Sequence, residues 1–337
     1  MDIALDLGTS STRICVEKDG KVVDQPSVIA YDKTNDEIIA FGNDAYRMLG
    51  RTSNKIEVAF PLESSVIAQS GLVEELVNTF LCEVCTSRVV MPRVLACIPG
   101  EITEVQKRAI VNAISSFGVR RVLLLESTKA AAFGCDKDFM SPHGTMIADI
   151  GAGSVDIAVL TLGGVSVGKT LKVAGNAMDE EIIKYARRKH NLIIGKAMAK
   201  ACKEAIGTVM YEDDELTFRL KGRDSVRGLP KFVDVTSSEI MEVIFDIAKN
   251  IAVAIADVLE DTPPELLGDV NTDGITITGG LSKLKGMQML IENATGVKVH
   301  IAKNPEDCVV NGLYKAIDYI DEAEAQRNSL NPLMMVY

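Results

Sequence analysis

Two stretches of this chain carry the same arrangement of a carboxylate and small residues. The first reads Ile3-Ala4-Leu5-Asp6-Leu7-Gly8-Thr9-Ser10-Ser11-Thr12, the second Ile147-Ala148-Asp149-Ile150-Gly151-Ala152-Gly153-Ser154-Val155-Asp156. Each reads as an apolar strand ending in Asp, a turn of small residues and a second strand, Arg13 to Glu17 or Ile157 to Leu160. Small residues let backbone N–H groups approach a phosphate closely, because no large side chain blocks the way. The Asp beside each turn offers the hard oxygen that a hydrated Mg2+ takes. Two such hairpins facing each other would clamp one nucleotide polyphosphate between two half-molecules. One copy alone carries little, since Asp-x-Gly turns are common in hairpins. The repetition carries the weight.

Other motifs are weaker. Thr278-Gly279-Gly280 ends an apolar strand, and strand ends of this kind are where ligands sit in open α/β sheets. Gly163-Gly164-Val165-Ser166-Val167-Gly168-Lys169-Thr170 matches a Walker A string, which needs a helix after it. Here Leu171-Lys172-Val173 continues as a strand, so the match reads as an accidental hairpin. The seven cysteines (15, 82, 85, 97, 135, 202 and 308) are scattered, several in apolar patterns where free Cys acts as a small hydrophobe. Cys82-Glu83-Val84-Cys85 lacks the second ligand pair that a zinc site needs, and His143, His190 and His300 do not supply it. The chain reads as cytosolic and reduced.

The elements that would position these motifs alternate between strand and helix. Residues 1–30 read as β-hairpins with a turn at Lys18–Lys21, and 31–70 as irregular and polar with a short helix at Asp44–Leu49. An amphipathic helix at 71–86, a strand at Val94–Ile98, a helix from Ile102 to Ile114 capped near Gly118 and a strand at Val122–Leu125 follow. The pattern restarts at Thr145, with strands through Lys172 and a helix from about Met178. A charge-rich insertion spans 181–245, overlapping a long helix at Ile240–Leu259. A strand at Gly274–Gly280 and a closing helix within Ala302–Ile320 complete the order. This order implies α/β halves. With 337 residues, 47% of them hydrophobic, one large or two smaller domains are expected. The net charge of −11 argues against a nucleic-acid surface. Met1-Asp2-Ile3 runs straight into a strand, so no signal peptide is expected, and no apolar run reaches the roughly 20 residues of a spanning helix.

Taken together these residues resemble the actin, Hsp70 and sugar-kinase superfamily, and within it the bacterial actin MreB and its paralogues. The strings Gly222-Arg223-Asp224, Gly228-Leu229-Pro230-Lys231 and Thr262-Pro263-Pro264-Glu265-Leu266 resemble MreB-like proteins rather than the wider superfamily. The resemblance implies an α/β, actin-like ATPase fold: two duplicated ribonuclease-H-like domains with inserted subdomains around a nucleotide cleft. Domain I would span 1–144 with an insertion at about 31–72, and domain II 145–320 with an insertion at about 181–245. A tail at 321–337 would be frayed or packed on domain I. It also implies ATP or ADP with Mg2+, head-to-tail filaments of the chain with itself or with paralogues, and cooperation with the cell-wall elongation machinery. The place of work would be the inner face of the cell membrane.

By position, Asp6 and Asp149 would hold the Mg2+ water shell. Gly8, Thr9 and Ser10, with Gly151, Ala152 and Gly153, would cradle phosphates. Lys203, Glu204, Gly279, Gly280 and Leu281 would lie by the nucleoside. The family's water-positioning Glu is replaced here by Ser127, which suits a helix N-cap and is a poor base; Glu126 is the possible substitute, one residue away. Losing a positioned base typically costs about 10^2–10^4 in rate. Ala205 stands for a family Glu and Leu281 for a family Gly, whose bulk is expected to crowd the adenine. The expectation is therefore a filament protein with slow or absent ATP turnover. Its alternatives are a non-hydrolysing scaffold that co-assembles with another MreB and, further off, a small-molecule kinase. Val89-Val90-Met91, between Arg88 and Pro92-Arg93, reads either as a membrane-touching loop or as the start of the next strand.

Overall fold

The computed structural model describes residues 1–16, 21–63, 66–85, 91–211, 213–325 and 335–336. The expected turn at Lys18–Lys21 falls mostly outside them. The chain opens with β1 (Asp2–Leu7), β2 (Ser11–Val16) and β3 (Lys21–Pro26). Next come β4 (Ile29–Asp32), β5 (Glu37–Phe41), α1 (Gly42–Met48) and β6 (Ile56–Ala59). A small hairpin, β7 (Leu62–Glu63) and β8 (Val66–Ile67), leads into α2 (Ser70–Val84). β9 (Arg93–Ile98), α3 (Glu104–Ser115), β10 (Arg121–Glu126) and α4 (Ser127–Gly134) follow.

The pattern then repeats with β11 (Thr145–Ile150), β12 (Val155–Thr161) and β13 (Gly164–Leu171). α5 (Gly175–His190), β14 (Leu192–Ile193), α6 (Lys196–Ile206), β15 (Thr217–Asp224) and β16 (Pro230–Thr236) come next. The chain closes with α7 (Ser237–Glu260), α8 (Pro264–Asp273), β17 (Ile275–Thr278), α9 (Met287–Thr295), β18 (Val299–Ile301), α10 (Cys308–Ala325) and β19 (Met335–Val336).

Two main sheets carry the same topology. The first runs β19-β10-β9-β1-β2-β3 and the second β13-β12-β11-β17-β18. In each, an antiparallel meander is extended by a parallel strand beside its first member, β9 beside β1 and β17 beside β11. The outer faces pack on α2 and α3 in one case and on α5, α7 and α9 in the other. The inner faces share a third core. Ala4, Leu95 and Leu123 of the first sheet and Ile147, Ala158 and Leu160 of the second close on Ala130–Ala132 of α4 and on Val310, Leu313 and Ile317 of α10. Each large aliphatic side chain buried there contributes about 1.5–3 kcal/mol.

Several expectations shift. Residues 31–70 are not irregular: β4 pairs with both β5 and β6 in a three-stranded sheet. The strands are four and five residues long with half-exposed faces, so the alternation that marks a strand is muted. Ser127 is not an N-cap; Glu126 holds that place and Ser127 begins the helix. α5 starts at Gly175, before Met178. β12 and β13 form an antiparallel hairpin across the Walker-like string, as the sequence indicates. Met335 pairs with Leu124 and Val336 with Leu123, so this part of the tail lies on the first sheet.

Candidate functional site

The turns Gly8–Ser10 and Gly151–Gly153 open onto one cavity of about 760 Å3 between the sheets. That lies within the size range of small-ligand sites, roughly 300–1,000 Å3. Each turn is closed in the same way: Gly8 N–H donates to Ser11 O at 3.2 Å and Gly151 N–H to Ser154 O at 3.0 Å. Thr9 packs against Gly153, where a Cβ would overlap its side chain. The two turns therefore face each other at contact distance.

Asp6, Asp149 and Asp156 are among the carboxylates that line the cavity beside the two turns. Desolvation pushes Asp6 up to about 6, opposed by Arg13 and reinforced by Asp24 and Asp307. The Arg13 guanidinium lies 4.0 Å from Asp6 Oδ2 and 3.5 Å from Asp307 Oδ1. Desolvation, followed by the charges of Asp156 and Asp6, holds Asp149 at about 7. Thr278 donates its hydroxyl to Asp149 Oδ1 at 3.0 Å. Burial also raises Asp156, whose Oδ1 accepts from Gly100 N–H at 3.0 Å and Thr170 Oγ1 at 2.6 Å. Gly279, at φ +81°, lets the end of β17 approach this group; a Cβ there would overlap Ile150 O and stand 2.8 Å from Asp149 Oδ1.

These carboxylates fit a hydrated Mg2+ carried in with phosphates. They are hard oxygen donors that burial draws out of water, which raises their pKa values, and a bound cation would offset that burial. Among the described residues no cluster of three or more His, Cys, Asp or Glu forms a protein-only metal cage. A divalent cation shared between two Asp and a polyphosphate needs no such cage.

At the start of α4, Ser127 lines the cavity and is buried. Its hydroxyl lies close enough to Asp156 to lower that group, although it makes no hydrogen bond of ordinary geometry. Glu126 is not among the lining residues; its Oε2 lies 3.3 Å from Lys129 Nζ. In this arrangement the Glu126 carboxylate is paired along α4 rather than lining the cavity.

On the opposite wall Lys203, Glu204, Ala205, Gly279, Gly280 and Leu281 all line the cavity. Lys203 ties α6 to α5, at 2.8 Å from Asp179 Oδ1 and donating to Gly175 O at 2.6 Å. Glu204 is exposed and lies 3.9 Å from Lys200. Leu281 is buried in the core of the second sheet and also lines the cavity. Met91 is 60% exposed. Val89 and Val90 lie outside the described residues.

The cleft is bridged by side chains. Lys200 Nζ donates to Ser10 Oγ at 3.1 Å, Lys196 Nζ stands 5.1 Å from the Phe60 ring centroid, and Glu101 N–H donates to Thr170 Oγ1 at 3.1 Å. The sequence reading missed Arg13, Asp156 and Lys200. A signal for the first two existed: each follows its Asp by seven positions and so faces it across its hairpin.

The chain matches the model of the MreB/Mbl protein family over residues 1–325. The chain belongs to the MreB/Mbl family. Within that family it is 36% identical to the cell shape-determining protein Mbl of Bacillus subtilis, covering 97% of this chain and 99% of that one. It is 35% identical to the cell shape-determining protein MreB of Escherichia coli K12, over 95% and 94%. The crystal structure of MreB5 of Spiroplasma citri bound to ADP superposes with a TM-score of 0.91 at 32% identity, covering 97% of this chain and 98% of that one. The MamK double helical filament shares the fold, with a TM-score of 0.80 at 21% identity over 94% and 99%. The actin-like architecture of MreB/Mbl proteins is thus the architecture of this chain.

Proposed function

We propose that this chain is a cell-shape cytoskeletal protein that binds ATP or ADP with Mg2+ in the cleft and assembles into actin-like filaments, with slow or absent hydrolysis. The carrying observation is the pair of phosphate-sized turns, Gly8–Ser10 and Gly151–Gly153, facing each other beside Asp6 and Asp149 in one cavity. Support comes from the related MreB5 of Spiroplasma citri, crystallised with ADP and with AMPPNP. The names of the Mbl and MreB relatives support the cell-shape role, and the fold of the MamK filament supports self-association.

In this reading Asp6 and Asp149 hold the water shell of Mg2+, which supplies charge neutralisation for the phosphates. The turn amides and Ser10 hold the phosphates. The domain division is 1–144 and 145–320, so the nucleotide bridges the two halves. Ser127 has a hydroxyl where a carboxylate would orient and deprotonate water, so turnover is slow. The second reading, a non-hydrolysing partner of another MreB, is favoured by that same Ser127. Work at the inner membrane face, beside the cell-wall elongation machinery, belongs to the proposal. Among the described residues no helix is long and apolar enough to cross a membrane, so contact would be peripheral.

Calorimetric titration with ATP and Mg2+ tests the core of this. Micromolar binding is the expected result. No heat at any ATP concentration would reject nucleotide gating and leave a nucleotide-independent scaffold.

A further inference from the structure

The chain passes between the two main sheets twice. It leaves the first through α4 and the segment 135–144, and it returns from the second through α10. Any rotation of one half against the other pivots on these two crossings, since hinges are the few residues that absorb the dihedral change. The crossings touch. A Cβ on Gly134 would overlap the Cys308 carbonyl oxygen, and one on Gly312 the Ala130 carbonyl oxygen.

At that contact lie two thiols. Cys135 ends α4 and Cys308 begins α10, with their Sγ atoms 3.7 Å apart. Both are free, Cys135 half-buried and Cys308 buried. Cys308 also lies 3.6 Å from Asn304 O. Each cysteine is close to a non-glycine residue with left-handed backbone, Asp136 at φ +53° and Asn304 at φ +50°. A disulfide needs the two sulfurs to approach from 3.7 Å to roughly 2.05 Å. Cys308 precedes Val309, which lines the cavity, so the pair lies one residue from the cleft wall.

We propose that Cys135 and Cys308 form a disulfide on exposure to a hydroperoxide, and that this bond fixes the two crossings to each other. Cys135, the more exposed of the two, attacks the peroxide O–O bond as a thiolate. This gives the sulfenic acid and releases hydroxide, which takes a proton to become water. The Cys308 sulfur then attacks the sulfenic sulfur, expelling a second water. Overall, two thiols and one H2O2 give one disulfide and two H2O, with the sulfurs oxidised and the peroxide oxygens reduced. Cys308 pulls the Cys135 thiol down, which favours the attacking thiolate at the exposed end of the pair. A small dithiol reverses the bond. Bond formation does not depend on the nucleotide reading of the cleft.

The test treats the reduced full-length protein with H2O2, without nucleotide. It maps cross-linked peptides by mass spectrometry and measures amide hydrogen exchange across 130–144. A Cys135–Cys308 peptide is expected before any other disulfide, with exchange in that segment slowed about tenfold and restored by dithiothreitol. In Cys308→Ser, Cys135 should stop at the sulfenic acid and be trapped by dimedone, with exchange unchanged. Oxidation of the exposed Cys82 without the linked peptide would overturn the proposal. So would a linked peptide that leaves exchange in 130–144 unaltered. Since wild type is its own reduced control, the test survives a variant that fails to fold.

Discussion

Asp156 stands directly across the β11–β12 hairpin from Asp149, at the register position that Arg13 occupies opposite Asp6. The repeat thus conserves geometry and reverses charge. Desolvation raises both aspartates; Arg13 opposes that rise at Asp6, whereas Asp156 adds to it at Asp149. Both halves of the proposed Mg2+ site are thus raised, Asp6 to about 6 and Asp149 to about 7, and the charge of Asp6 couples the two.

Mg2+-nucleotide affinity should fall as pH drops through about 7 and again through about 6, as Asp149 and then Asp6 take up protons. Asp156→Asn removes the like charge and should move the upper midpoint to lower pH. Calorimetry across this range checks it; an unchanged midpoint in the variant would detach Asp156 from Asp149.

Asp149→Asn should separate stability from binding. An unfolded Asp titrates near 3.9, and folded Asp149 at about 7, so the folded state holds the extra proton between them. Stability from this group is complete below about 3.9 and is lost as pH rises through about 7. Above that pH the neutral Asn should raise the Tm of the nucleotide-free protein by about 1–2 °C per kcal/mol recovered. It should also weaken Mg2+-nucleotide binding at least about tenfold, one lost charged ligand contact. Calorimetric melting with and without nucleotide reads both effects, and a lower Tm without nucleotide would contradict the first.

Ser127→Glu should restore a carboxylate at the cavity end of α4 and raise phosphate release about 10^2-fold. Single-turnover phosphate assays measure it. Release that stays flat while nucleotide still binds would place the slow step elsewhere.

Met91→Asp should weaken co-sedimentation with anionic liposomes several-fold if this exposed apolar tip meets the membrane. Equal pelleting of variant and wild type would remove that contact.

The candidate site was legible in part because its chemistry is local. Each Asp and its turn of small residues lie within a handful of positions, so the hairpin and the phosphate-sized turn could be read from spacing alone. The duplication was visible for the same reason, and Gly279 marked a strand end where a ligand could sit. What the sequence hid is how side chains pair and pack once the elements come together. Asp156 reads as an ordinary strand residue until Gly100 and Thr170 converge on it. Glu126 looks able to replace a base until Lys129 takes its carboxylate. Leu281 reads only as a cavity residue until it also packs into the core of the second sheet. The nearness of Cys135 and Cys308, far apart in the chain, exists only because glycines at 134 and 312 let α4 and α10 touch. Local backbone preferences and short-range spacing write the hairpins; burial, charge pairing and packing between distant segments decide which of their side chains face the cleft.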